Sequence, residues 1–186
     1  MQPADIYRYF APLGIAGIWL TCGIILKRGF SGKSISMSLH AADSRRRFVF
    51  FGLGLTFNAI CFYIFAAKWL TPIYHLPAAF MVLFTLTIIG QLITAWVPDT
   101  KGLQHKVHIT AAYGFSSCLP FITAFLFLSP YATTALKITS ALATLTMAGL
   151  ILAMMVSKKV RAHHLTVQIV YALVIHVTLL VAAFAV

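Results

Sequence analysis

The sequence has very few acidic residues: it contains no glutamate and only three aspartates, Asp5, Asp43 and Asp99. All charged residues together make up 9% of the 186 residues, whereas hydrophobic residues make up 61%. Soluble domains have about half apolar and about a quarter charged residues, and the mean hydropathy here is +0.93. The composition therefore excludes an ordinary soluble domain and indicates an integral membrane protein.

Other absences exclude several kinds of chemistry. Without glutamate there is no paired-histidine zinc helix of the metalloprotease type. No nucleophile turn around a serine, no phosphate-binding loop and no lysine in the middle of an apolar run are present. The three cysteines, Cys22, Cys61 and Cys118, each lie within an apolar run without motif spacing, so we interpret them as small buried hydrophobic residues.

The long apolar runs define the fold class. Each is close to the ~20 residues that a helix needs to cross ~30 Å of hydrocarbon, and each is too long for a barrel strand. The sequence predicts an all-α polytopic transmembrane bundle, one domain over residues 1–186, in which Pro77 and Pro120 bend the third and fourth helices. The six runs are Phe10–Leu26, Phe48–Ala67, Leu76–Val97, Val107–Leu128, Thr133–Val156 and Leu165–Val186.

The basic residues predict the orientation. Eleven of the fourteen lie in connections one, three and five, and only Arg8, Lys68 and Lys137 lie elsewhere. The positive-inside rule then predicts both termini outside, in a multi-pass protein of the cell inner membrane. Because the cations are scattered in short gaps, the net charge of +11 indicates anionic lipid headgroups rather than nucleic acid. The eleven are Lys27, Arg28, Lys33, Arg45, Arg46, Arg47, Lys101, Lys106, Lys158, Lys159 and Arg161.

Aromatic and polar residues near the helix ends and within the helices carry further expectations. Tryptophan and tyrosine near helix ends are typical interfacial anchors, and we expect this role for Trp69, Tyr74, Trp96 and Tyr131. A polar side chain in mid-membrane is expected to face the bundle and find a partner there. Such residues are Asn58, Gln91, Gln168 and His176, the last being expected as a neutral, hydrogen-bonded histidine.

Histidines and aspartates gather in the connections predicted to be cytoplasmic. Polar residues are expected in loops in any case, so this grouping alone does not require a site. The same residues are also consistent with a zinc site or a haem site. Asp43, His105, His108 and His164 offer the nitrogen and oxygen ligands of a zinc ion, which would make the protein a metal-dependent lipid hydrolase. Alternatively, His108 opposite His163 or His164 offers the axial pair of a haem b in a membrane electron carrier.

A short stretch resembles a known family. Gly90, the turn Trp96-Val97-Pro98-Asp99 and His108, followed by Ala111-Ala112 and Phe115, are similar to the signature of the domain of unknown function 998 family of six-helix membrane proteins. A distant similarity to the damage-regulated autophagy modulators includes the first-loop serines of Ser34-Ile35-Ser36. The resemblance implies the fold and a membrane location, but no established reaction.

These observations favour ligand binding over catalysis, with no cofactor. We expect a lipid or small amphipathic ligand at a cytoplasmic-side polar site formed by Asp99, His105 and His108. Asp99 is expected to hold a histidine or an arginine by a charge-assisted hydrogen bond, and Arg45, Arg46 and Arg47 to contact the headgroup. A homo-oligomer is also compatible with the sequence.

Overall fold

The computed structural model describes residues 3–29 and 35–185, which form helices and no strands. Lys33, Ser34 and Val186 therefore lie outside the described residues. A 3-10 turn, Pro3–Tyr9, leads into the first helix, and a π-helical segment, Ala66–Leu70, follows the third. The α-helices are α1 (Phe10–Gly29), α2 (Met37–Ala42), α3 (Arg45–Phe65), α4 (Thr71–Tyr74), α5 (Ala78–Trp96), α6 (Leu103–Leu128), α7 (Thr134–Val156), α8 (Lys158–Arg161) and α9 (His164–Phe184).

Six helical segments of the described chain are long and apolar enough to cross a membrane. The all-α class and the number of spanning helices are thereby confirmed, and the protein is a multi-pass membrane protein. The segments contain α1, α3 with α4, α5, α6, α7 and α9. Consecutive segments pack side by side, and α9 returns to contact α1. The Tyr9 and Phe184 rings are 5.8 Å apart, so the first and last segments meet at one end of the bundle.

The opposite end, which we call the basic end, carries Arg45–Arg47, Lys101, Lys106 and the cations of α8. There α2 packs on α1, α3 and α9, where Met37 and Ala41 join Ile25, Phe51 and Leu165 in a small apolar core. The backbone N–H of Met37 donates to the Gln168 side chain at 2.9 Å. The first connection therefore contains a docked helix that the sequence did not predict.

The second span is longer than predicted and ends differently. It runs without a break from Arg45 to Tyr74, because the π-helical segment joins α3 to α4. Trp69 Nε1 and the Tyr74 hydroxyl both donate to the Ala182 carbonyl, at 3.3 and 2.8 Å. Both side chains are buried, so the expectation that they are interfacial anchors is wrong. The other two expected anchors, Trp96 and Tyr131, are exposed.

Pro120 lies inside α6 and removes one hydrogen bond from the helix backbone. A proline has no N–H, so the Ser116 carbonyl loses the donor that it would have in a regular helix. The Tyr171 hydroxyl of α9 donates to that carbonyl at 2.5 Å. Pro77, in contrast, lies just before α5 rather than inside it, so the expectation that it bends that helix is wrong.

The Tyr171 contact can be tested with a double-mutant cycle. We expect Tyr171→Phe to lower the free energy of unfolding by about 1–2 kcal/mol, because a carbonyl in hydrocarbon loses its donor. In the Pro120→Ala background an N–H again reaches Ser116, so the same change should cost markedly less. Equal costs in the two backgrounds, measured by denaturation in detergent micelles, would contradict this role.

Small residues allow close approach between α5 and α6. A Cβ added at Gly90 would lie 2.8 Å from Phe115 Cβ and 3.2 Å from the Ala111 carbonyl oxygen. Contacts this short require the helices to move apart. Gly90 therefore fixes the distance between the two helices of this hairpin.

We expect Gly90→Ala to lower the free energy of unfolding by about 1–3 kcal/mol, the usual cost of overpacking. Gly149→Ala is the matched control, since a Cβ there meets no atom within 4 Å. The control should be neutral or slightly stabilising, because alanine favours helix formation. Similar thermal midpoints for the two variants would show that the α5–α6 contact is not tight.

Candidate functional site

The predicted polar site lies on the α5–α6 hairpin at the basic end. Helix α5 ends at Trp96, and α6 begins at Leu103, four residues before its predicted start. Gly102 has a φ of 73°, which glycine adopts readily, and this turns the loop into α6. His105 and His108 consequently lie in the first two turns of α6 rather than in a loop.

His108 closes the hairpin. Its side chain is 3% exposed, and Nδ1 lies 2.7 Å from the Val97 carbonyl oxygen at the end of α5. Because a carbonyl only accepts, Nδ1 carries the proton in this contact. His108 therefore joins the C-cap residue of one helix to the second turn of the next.

Asp99 pairs with His105. The carboxylate oxygen and Nδ1 are 2.6 Å apart, and the side chains are 7% exposed for Asp99 and 52% exposed for His105. A largely buried carboxylate needs such a partner, and the half-exposed His105 supplies it at the surface of the hairpin.

Arg45, Arg46 and Arg47 begin α3, on a different connection of the basic end. The Ser44 hydroxyl accepts from the Arg47 backbone N–H and caps the helix, and the Arg47 guanidinium pairs with Asp43 at 2.5 Å. Arg45 and Arg46 are exposed. Since surface pairs of this kind contribute little to stability, the arginines mainly contribute positive charge.

The structure does not assemble the zinc site that the sequence allowed. Among the described residues, no three histidine, cysteine or aspartate side chains lie close enough to hold a metal ion. Asp43 is paired with Arg47, His105 with Asp99, and His108 with a carbonyl. The set Asp43, His105, His108 and His164 does not fit the ion, because Asp43, His105 and His108 are each held in a separate contact.

Three histidines were considered as haem ligands from the sequence, and two of them, His108 and His163, have separate partners. His108 is engaged with Val97 inside the hairpin. His163 is exposed, and its Nδ1 contacts the Lys159 carbonyl of α8 at 3.0 Å. His164, the third candidate, begins α9 and is half-buried. The contacts of His108 and His163 give those two imidazoles local roles and supply no support for an axial pair.

Polar side chains in mid-membrane link neighbouring helices. Asn58 Nδ2 donates to the Gly14 carbonyl at 3.1 Å, and Gln91 Nε2 donates to Asn58 Oδ1 at 2.9 Å. These bonds connect α1, α3 and α5. Because a polar atom in hydrocarbon must be paired inside the protein, the chain of contacts explains why the two amides face each other.

His176 forms a link of the same kind. Trp19 Nε1 donates to His176 Nδ1 at 2.9 Å and joins α1 to α9. An accepting Nδ1 has no proton in this contact, so the ring is a neutral tautomer with its hydrogen on Nε2. His176 is therefore a neutral histidine whose hydrogen bond links α1 to α9.

A surface groove next to the hairpin was not predicted from the sequence. This groove, the hairpin groove, has a volume of about 350 Å³, at the lower end of the ~300–1,000 Å³ typical of small-molecule sites. Its walls come from two helices, so no single stretch of sequence reveals it. On α6 the lining residues recur once per helical turn, and this spacing is the one feature of the sequence that could have indicated the groove. It is lined by Ile93, Lys106, Val107, Thr110 and Ala111.

Most residues that carry the family resemblance lie on this hairpin, where they contact it or the neighbouring α3. Gly90 packs on Phe115 and the Ala111 backbone, and Trp96 Nε1 donates to the Thr56 hydroxyl at 3.0 Å. Ser36, from the first-loop serine stretch, caps α2. Comparison of the chain with protein-family models, curated proteins and solved structures found no match. The chain is thus defined by its class, a multi-pass membrane protein, and its family remains a prediction.

The two hairpin histidines should differ in their effect on stability. We expect His108→Ala to lower the free energy of unfolding by about 1–3 kcal/mol, because the Val97 carbonyl loses its donor inside the protein. His105→Ala should cost less than about 1 kcal/mol, since the His105 side chain is 52% exposed and water can take its place beside Asp99. A His105 variant at least as unstable as the His108 variant, in the same denaturation assay, would reverse this assignment.

Proposed function

We propose that the protein is a multi-pass inner-membrane protein that binds an anionic lipid at the hairpin groove without catalysing a reaction. The observation that carries the proposal is an apolar groove with Lys106 in its wall, at the end of the bundle where cations accumulate. In the orientation that we propose, the basic end faces the cytoplasm and both termini face outward, as the positive-inside rule predicts.

The groove walls favour an acyl chain. Ile93, Val107 and Ala111 are apolar, and Thr110 adds one hydroxyl group. Lipid tails elsewhere around the protein are equally apolar, so burial alone gives no preference for this position. Selectivity must therefore come from the shape of the groove and from the headgroup that reaches Lys106.

The surroundings of Lys106 favour a negative headgroup. An ammonium group near the membrane surface attracts an anionic lipid by ~1 kcal/mol. The nearest carboxylate in the loop, Asp99, is already paired with His105, which limits its repulsion of a phosphate. His105 precedes Lys106 and is exposed, so it is accessible to the same headgroup.

Arg45 and Arg46 contribute more distantly to this proposal. They are exposed at the basic end and raise the local concentration of anionic lipid. From the sequence we expected these arginines to contact the headgroup of a ligand bound by Asp99, His105 and His108. His108 is buried in the hairpin and cannot reach such a ligand. The headgroup contacts that we propose are therefore Lys106 and His105.

Native mass spectrometry with phosphatidylglycerol tests the charge contribution. We expect Lys106→Gln to weaken binding about fivefold, the equivalent of ~1 kcal/mol. The matched control is Lys101→Gln, which removes the same charge from the loop just before α6, at a residue outside the groove. Equal losses for the two variants would contradict a site at the groove and indicate a general charge effect.

A steric test in the same assay does not depend on charge. Val107→Trp should fill the groove and reduce binding, whereas Leu103→Trp, at an exposed position one turn earlier, should leave it intact. Undiminished lipid binding by a folded Val107→Trp protein would overturn the proposal.

A further inference from the structure

The short helix α8 is a rigid basic segment between α7 and α9. Arg161 Nη1 donates to the carbonyls of Met154 and Met155, at 3.0 and 2.8 Å, and so holds α8 against the end of α7. The Ser157 hydroxyl accepts from the Val160 backbone N–H at 3.3 Å. His163 Nδ1 lies 3.0 Å from the Lys159 carbonyl. These bonds fix the positions of the two lysines of α8 relative to α9.

A second groove, the α8 groove, lies between α7, α8 and α9 and has a volume of about 320 Å³. On α9 and its N-cap the lining residues follow the spacing of one helical face, from His163 to Val170. The polar members lie toward α8, and the apolar members continue along α7 and α9. The groove is lined by Leu150, Lys159, Val160, His163, Thr166, Val167 and Val170. The groove surface is almost entirely apolar, and the exposed Lys159 and His163 border it at the α8 end, an arrangement that matches an amphipathic lipid.

The charge around this groove is strongly positive. Lys158, Lys159 and Arg161 are all exposed, and they make up three of the four residues of α8. The two aspartates of the basic end have partners of their own, Asp43 with Arg47 and Asp99 with His105. Within the described ranges no carboxylate pairs with Lys158, Lys159 or Arg161, and such a cluster of cations next to hydrocarbon attracts lipid phosphates.

We propose that the α8 groove is a second lipid site, which binds an anionic phospholipid with its phosphate at Lys159 and one acyl chain along Val167 and Val170. The Lys159 ammonium supplies up to three donors for phosphate oxygens. The hydrogen bond from His163 to the Lys159 carbonyl keeps the imidazole beside the headgroup. This site shares no residue with the hairpin groove, so it does not rest on the function proposed above.

Charge variants identify the residue that contacts the phosphate. In native mass spectra recorded with phosphatidylglycerol, Lys159→Gln should weaken one binding event about fivefold. Lys158→Gln is the matched control, because it removes the same charge from the adjacent residue, which does not line the groove. Phosphatidylcholine, which has no net charge, should bind the wild-type protein more weakly at this site. Equal effects of the two lysine variants would overturn the assignment.

A steric pair on α9 gives an independent measurement. Val170 is 37% exposed and lines the groove, whereas Leu173 is 50% exposed and lies outside it. Val170→Trp should abolish the binding event that Lys159→Gln weakens, and Leu173→Trp should preserve it. Persistence of that event in a folded Val170→Trp protein would refute the α8 site.

The two lipid sites can be separated with Lys106→Gln. That variant should retain the lipid bound at α8, and Lys159→Gln should retain the lipid bound at the hairpin. Loss of the α8 lipid in Lys106→Gln would refute independent sites.

Discussion

The structure depends on one constraint: a backbone carbonyl or N–H group in hydrocarbon must find its partner inside the protein. Regular helices satisfy their own backbone groups, whereas a backbone group at an irregular position or a helix end needs a partner from another helix. Pro120 leaves the Ser116 carbonyl without its usual donor, and Tyr171 of α9 supplies one. The π-helical segment directs Trp69 and Tyr74 to the Ala182 carbonyl near the end of α9. Irregular backbone thus accounts for some of the links between helices, beside those that Asn58, Gln91 and His176 form.

The same constraint explains what could be predicted from the sequence. The length and hydropathy of the apolar runs predicted the six spanning helices, because crossing the membrane requires both. A buried polar group needs a partner, but the sequence does not show which one: Asn58 found Gln91 and Gly14, and His176 found Trp19. Helix α2 is six residues long and too short for a hydropathy signal. The π-helical segment was also not predicted, because the charged Lys68 interrupts the apolar run and the second helix was therefore predicted to end at Ala67.

The candidate site was predicted less well than the fold, for a related reason. The hairpin loop was recognised because it is polar, and its His108 was interpreted as a ligand-binding residue. In the structure this imidazole bonds to a carbonyl of the preceding helix, which closes the loop. The grooves beside the hairpin and α8 consist largely of apolar residues on two or three helices. Such surfaces depend on how the helices are packed, and a list of polar residues does not reveal them.

The pairing of Asp43 with Arg47 and of Asp99 with His105 has a wider consequence. With three carboxylates and fourteen cations, the chain supplies few of its own counterions and retains a net charge of +11. Electroneutrality then requires the balancing charges to come from salt and from the membrane itself. Screening in physiological salt acts over about 8 Å, so much of this balance must be reached within the first shell of lipids. The fraction of anionic lipid in that shell should therefore affect the stability of the folded protein.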